Sequence, residues 1–228
     1  MKKFDWLKFY FENKTENAWV SVSEVIPNEF DEYFLLHWNV GIVDNFPFDE
    51  YPEKNETIEE TNERIKIERD FDLFLNKDED KLFRITNLKE LSEKFKTEHS
   101  YLTLNKIKKT PAVKILEEIS VKNLRLLVER MSNNQTLNLY VEDFYRYPDH
   151  DIPKQEIENI TIKQYFDFQK DLFFDYSTYL FPDDMSWCIA TAEDLPMFLC
   201  IKSELREKLN QNEDLEMFEI QYNEKLYG

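Results

Sequence analysis

Glycine is nearly missing from this chain: 228 residues carry two, Gly41 and Gly228. Average usage of roughly 7% would supply about 16. Glycine adopts positive φ freely and lets a backbone come close to a phosphate or to a neighbouring strand. A phosphate-binding loop, a dinucleotide-binding fingerprint and a nucleophile elbow each need two or more closely spaced glycines. None of them can be built here. Turns must be made by Asn, Asp and Pro instead, and Pro27-Asn28, Pro148-Asp149 and Pro182-Asp183 fit that role.

A chain of this length buries roughly 70% or more of its unfolded surface and needs no disulfide or metal staple. Hydrophobic content of 42%, with 19 Phe, 12 Tyr and 4 Trp, excludes disorder through lack of apolar surface. The formal charge of −18 repels nucleic acid and anionic membrane surfaces, and it favours a basic partner. The charge is uneven. Residues 47–80 hold thirteen acids against five bases, residues 106–130 hold seven bases against three acids, and residues 142–228 hold twenty acids against eight bases.

Cys188 and Cys200 lie in apolar surroundings, Trp187-Cys188-Ile189 and Leu199-Cys200-Ile201. They read as buried free thiols of a reducing compartment. The first residues, MKKFDWLKFYFENK, are interrupted by Asp5, Lys8 and Glu12, which does not suit a signal peptide. No run of about 18 apolar residues occurs. The expected location is cytoplasmic, in a bacterial cell.

Phe34, Leu36, Trp38 and Val40 alternate, so Tyr33–Val40 is predicted as a strand. Asn87 with Glu90 three residues later starts a helix. Thr110-Pro111 predicts another, through Ile119. Leu137–Val141 reads as a strand, and residues 162–176 fit helix and strand equally. Ser186–Thr191 and Met197–Ile201 are strand-like, with a turn over residues 192–196. Ser203 is expected to cap a helix to about Asn210, and Leu215–Gln221 to return as a strand. The predicted fold is a single α+β domain over residues 1–228. It has a mostly antiparallel sheet with packed helices and a C-terminal β-β-α-β unit.

No pattern assigns a catalytic residue, a cofactor site or a metal site. His37 stands in an apolar run with no second histidine at ligand spacing. Asp149-His150-Asp151 sits between prolines, where adjacent residues rarely turn toward one ion. Asn76-x-Asp78-x-Asp80 resembles the start of a calcium loop, but Lys81 stands where that loop needs glycine and Asn87 where it needs glutamate. Asp183-Asp184 is a carboxylate pair of the sort that 47 acids supply by chance. The loop with Phe46, Phe48 and Tyr51 among Asp49, Glu50 and Glu53 has two readings. It is an aromatic anchor ringed by acids, suited to a basic protein, or a loop folded onto the core by its own rings. On the first reading Phe48, Asp49, Glu50, Tyr51 and Glu53 bind the partner.

The stretch from Phe181 to Leu195 resembles a motif of an uncharacterised bacterial protein family, (W/F)-P-x-D-x-(S/A)-W-C-(V/I)-A-T-x-x-D. Pro182, Asp184, Ser186, Trp187, Cys188, Ala190, Thr191 and Asp194 match it. A helix and the acidic Asp214-Leu215-Glu216 follow, and Ile26-Pro27, Phe30, Tyr33 and His37 are similar to the family's opening strand. The resemblance covers the two ends and leaves the middle unmatched. Members carry Gly-Gly-Ser after the second strand, where this chain has Cys200-Ile201-Lys202-Ser203. The members look like small acidic proteins found beside bacterial toxins, which implies an immunity-protein or antitoxin role.

The expectation is a non-enzymatic acidic protein that masks a basic protein partner and binds neither nucleic acid nor membrane. One alternative is a hydrolase that gathers His37, Asp149, His150 and Asp184 in a cleft. Another is a structural subunit of a homo-oligomer.

Overall fold

A computed structural model describes residues 2–13, 21–52, 57–73, 82–133, 135–143, 155–171, 176–191, 197–209 and 215–226. In chain order the first elements are α1 (Asp5–Asn13), β1 (Glu32–His37), β2 (Val40–Ile42), α2 (Ile58–Asp70), β3 (Arg84–Thr86) and α3 (Leu88–Phe95). Then come α4 (Thr103–Lys106), β4 (Val113–Ile115), α5 (Glu117–Ser132), β5 (Leu137–Asp143), β6 (Gln155–Ile160) and α6 (Ile162–Asp171). The last are β7 (Tyr176–Pro182), β8 (Trp187–Thr191), β9 (Met197–Ile201), α7 (Arg206–Leu209) and β10 (Glu216–Ile220). Two compact units result, Met1–His37 with Lys122–Gly228, and Trp38–Val121. The architecture is α+β with antiparallel sheets.

The larger unit holds a seven-stranded sheet in the order β10-β1-β9-β8-β7-β5-β6. The C-terminal β-β-α-β unit is present, but β10 does not return beside β9. It pairs with β1, Tyr33 opposite Ile220, so β1 fills the space between β9 and β10. β8 and β9 are buried throughout apart from Thr191, as central strands covered on both faces must be.

α1 lies on one face of this sheet. Phe11 meets the rings of Tyr140 and Tyr179, at 6.0 and 5.7 Å, and Trp6 meets Phe181 edge-on at 5.3 Å. Lys8–Glu156 and Lys3–Asp183 ion pairs tie its polar side to β6 and to the turn after β7. α6 covers the opposite face, where Gln169 donates to Thr178 at 2.8 Å. Thr161-x-x-Gln164 makes its capping box, the Thr161 N–H donating to Gln164 Oε1 and the Gln164 N–H to Thr161 Oγ1.

The smaller unit is built on a three-stranded sheet, β3-β2-β4, and a cluster of rings. Phe46 contacts Phe48, Tyr51 and Phe71 at 4.9–5.3 Å, and Phe48 meets Phe95 edge-on at 4.9 Å. α3 starts as predicted, with Asn87 Oδ1 accepting from the Glu90 N–H at 2.8 Å.

Three local expectations are corrected. The Tyr33–Val40 run is two strands in different sheets, interrupted at Trp38-Asn39. There the Asn39 N–H donates to Ser120 Oγ, and its carbonyl accepts from the Leu116 N–H. Thr110 does not cap a helix. Its hydroxyl accepts from the Ala112 N–H in a turn, and the β-branched Val113 and Ile115 then pair with β2. The helix begins only at Glu117 and runs to Ser132. Ser203 is not a cap either. The Asp31 carboxylate accepts from its N–H and its hydroxyl, and a short 3-10 turn precedes α7.

The turns confirm how a glycine-poor chain bends. Positive φ falls on Asn45, Asp72, Lys96, Asn133, Asn159 and Met185. Asn and Asp take four of the six, the side chains that tolerate this region best. Gly41 does not have positive φ. It is required for space: a Cβ there would sit 2.7 Å from Phe83 Cβ and 2.9 Å from Leu116 Cδ2.

Candidate functional site

The loop after β2 does not present aromatic anchors. Phe48 is 8% exposed and Tyr51 5%, both turned into the ring cluster of their own unit. The Tyr51 hydroxyl donates to Glu68 at 2.6 Å, and Lys94 Nζ stands 5.1 Å over the Phe48 ring. The loop is folded down by its own rings, while Asp49 and Glu50 are exposed. Glu53 lies outside the described residues, and residues 57–60 already belong to the start of α2, capped by Thr57.

Of the residues proposed to gather in a hydrolytic cleft, the two that are described, His37 and Asp184, do not meet. Register places Glu32, Ile201 and Trp187 in one row across β1, β9 and β8. The turn holding Asp184 is therefore at the Glu32 end of the sheet. His37 is five residues farther along β1, about 17 Å at roughly 3.3 Å per residue. Asp149, His150 and Asp151 lie outside the described residues, as do Asn76, Asp78 and Asp80. Among the described residues, no group of three or more His, Cys, Asp and Glu side chains could hold a metal ion, and no helix is long and apolar enough to cross a membrane. Cys188 and Cys200 face each other across β8 and β9, fully buried, and burial raises both thiol pKa values well above the ordinary range.

A pocket of about 410 Å³ opens at the Glu32 end of the larger unit. Its walls come from three separated stretches: α1, residues 23–29, and Tyr222 just past β10. α1 contributes Trp6, Phe9, Tyr10 and Asn13; the second stretch contributes Glu24 and Glu29. The pairing of β10 with β1 is what carries Tyr222 there, its ring 5.2 Å from that of Tyr33. Tyr33 in turn fixes the second stretch, donating to Asn28 Oδ1 and accepting from the Phe30 N–H. The Tyr10 hydroxyl donates to the Ser23 carbonyl at 3.1 Å, closing the floor between helix and loop.

Among the described residues, the pocket has no Lys or Arg in its lining. Phe9 is 70% exposed, a large ring left on the surface at its edge. The Tyr10 hydroxyl is held protonated by burial first, then by Tyr222 and the charge of Glu24. Tyr222 is raised by burial and by Cys200 and Glu29. These residues escape sequence reading because no motif joins them. The one signal is α1 itself, whose aromatic residues exceed what its buried stripe of Trp6, Leu7 and Phe11 needs.

The family-like stretch has a structural task. Asp184 Oδ1 accepts from the Ser186 N–H, and Asp183 accepts from Asn138 and Lys3, shaping the turn between β7 and β8. Trp187, Cys188 and Ala190 are wholly buried, and the Thr191 and Thr178 hydroxyls bond at 2.6 Å. Asp194 and Asp214 lie outside the described residues. Lys202, where members carry glycine, has φ −78, a conformation any residue adopts. Comparison with protein-family models, with curated proteins and with solved structures returns no match to this chain.

Proposed function

We propose that this chain is a non-catalytic binding protein that masks a basic protein, in the manner of an immunity protein or antitoxin. The observation that carries the reading is the pocket between α1, residues 23–29 and Tyr222: aromatic walls, two glutamates and, among the described residues, no cation, on a chain of net charge −18. Long-range charge accelerates encounter with a basic surface. Aromatic contact in a desolvated pocket slows release. The resemblance of the Phe181–Leu195 stretch to acidic proteins found beside toxins points the same way by analogy. The hydrolase alternative has His37 and Asp184 at opposite ends of one sheet and gains nothing from the geometry.

The test is affinity capture by the full chain from an extract of its own cell, at about 0.05 M and about 0.5 M salt, a span that shortens the screening length severalfold. The expected result is one stoichiometric basic protein, retained at low salt and depleted at high salt, whose activity the chain suppresses when the two are mixed. Capture of no basic protein at either salt refutes the reading.

A further inference from the structure

We propose that the pocket lined by α1, Glu24, Glu29 and Tyr222 seats an arginine side chain of the partner. The proposal rests on the reading above and names the group that would enter. Four features of the walls select it. First, a guanidinium is flat, stacks on aromatic faces and sheds water more easily than an ammonium; the exposed Phe9 and the half-buried Tyr10 and Tyr222 line the pocket with rings. Second, a guanidinium carries five donors and no acceptor, and the pocket offers acceptors. The Glu29 carboxylate is exposed at its rim. Asn13 uses its amide nitrogen on the Phe9 carbonyl at 2.7 Å, which leaves Oδ1 as an acceptor.

Third, a cation beside the pocket is already engaged: Lys202 Nζ bonds the Glu29 carbonyl and stands 5.8 Å over the Phe30 ring. That arrangement is an internal precedent for a cation on aromatic and carbonyl groups beside the pocket. Fourth, Phe9 is a large ring on the surface, and covering it by the methylene stem of an arginine removes apolar area from water. An anionic ligand would meet two glutamates, and a purely apolar one would strip water from them without replacing it.

The experiment titrates the full chain with N-acetyl-arginine methylamide, following the Trp6 indole and Tyr222 ring resonances by NMR. The lysine and glutamine methylamides serve as comparison probes. The arginine probe should shift both residues with a millimolar dissociation constant, bind severalfold tighter than the lysine probe, and leave the glutamine probe without saturable effect. Phe9→Ala and Glu29→Gln alter exposed side chains and should each weaken the arginine probe about two- to fivefold, the factor a single exposed cation–π or ion-pair contact carries. Equal binding of all three probes, or unchanged affinity in both variants, overturns the proposal. So does concentration-dependent self-association abolished by Phe9→Ala, which would make a second copy the occupant. Salt-sensitive capture of a basic protein that survives both substitutions refutes the pocket and leaves masking intact. Arginine binding in the pocket with no basic partner captured does the reverse.

Discussion

Gly41→Ala adds one methyl group in β2, and the structure sets its size. The new Cβ would lie 2.7 Å from Phe83 Cβ, 2.9 Å from Leu116 Cδ2 and 3.1 Å from Leu116 Cδ1. Leu116 can be moved or trimmed. Phe83 Cβ cannot, because every residue except glycine carries that atom, so β2 and the segment before β3 must separate. Overpacking of this kind costs about 1–3 kcal/mol. Alanine returns about 0.4–1 kcal/mol by restricting the unfolded chain, since no positive φ makes glycine necessary on conformational grounds. The net expectation is a loss of about 1–2 kcal/mol, read as a lower midpoint in urea unfolding followed by tryptophan fluorescence and circular dichroism, with the slope unchanged. Adding Leu116→Ala should recover only the part owed to the Leu116 methyls. In a double-mutant cycle that appears as a favourable coupling of roughly 0.5–1 kcal/mol, while Leu116→Ala alone costs about 2–5 kcal/mol. A Gly41→Ala protein within about 0.5 kcal/mol of the parent, the spread of neutral surface changes, would refute the argument that this glycine is kept for space.

Lys96 ends α3 at φ 54 and ψ 43; Lys96→Gly should stabilise by up to about 1 kcal/mol, because the left-handed cost of roughly 1–2 kcal/mol exceeds glycine's entropy penalty, and an unchanged urea midpoint would count against it. Folding holds four carboxyl pKa values below their usual range: Asp31 through the Ser203 N–H, Glu90 through Arg84, Glu98 through Lys106, and Asp183 through Asn138 and Lys3. Their contribution is complete above the unfolded values near pH 4 and is lost as pH falls through the lower folded values. Urea midpoints should therefore drop between about pH 5 and pH 2, less steeply in an Asp183→Asn, Glu90→Gln protein, and a midpoint that holds or rises down to pH 2 contradicts the assignment. Cys188 and Cys200 should resist a thiol reagent in the native protein and react at once in denaturant, because both are buried and burial raises their pKa values; rapid native labelling would show that β8 and β9 open.

Strand identity at the C-terminus was legible because Trp187–Thr191 and Met197–Ile201 are short apolar runs bounded by polar turn residues. Their neighbours were not. β10 pairs with β1, which lies some 180 residues earlier, and no local pattern announces which sheet edge a strand will join. Thr110-Pro111 misled because a hydroxyl before proline suits a turn as well as a helix start; the deciding residues are Val113 and Ile115, which supply the strand. The segment at 162 read as ambiguous although Thr161-x-x-Gln164 carries a helix signature. The alternation from Tyr33 to Val40 is genuine, yet Leu35 is buried as well, so β1 is covered on both faces and the period said nothing about where it stops. The acidic aromatic loop held two readings in balance, and burial of Phe46, Phe48 and Tyr51 decides for the core.

The pocket was invisible for a related reason, and the reason bears on how such a chain works. Its strongest sequence signal, the stretch around Trp187-Cys188, is spent on turn geometry and on a strand with no exposed chemistry. The second matching block does similar work, since Pro27, Phe30 and Tyr33 are buried and hold the loop that bears Glu24 and Glu29. Both blocks are scaffold. The side chains that can meet another molecule at that end, Phe9, Asn28 and Glu29 among them, belong to no motif, and surface residues of this kind can vary without disturbing the fold. Exposed aromatic and acidic side chains on such a frame suit the basic partner proposed above. Specificity should therefore follow Phe9, Glu24 and Glu29, whereas changes at Trp187 should act through stability alone.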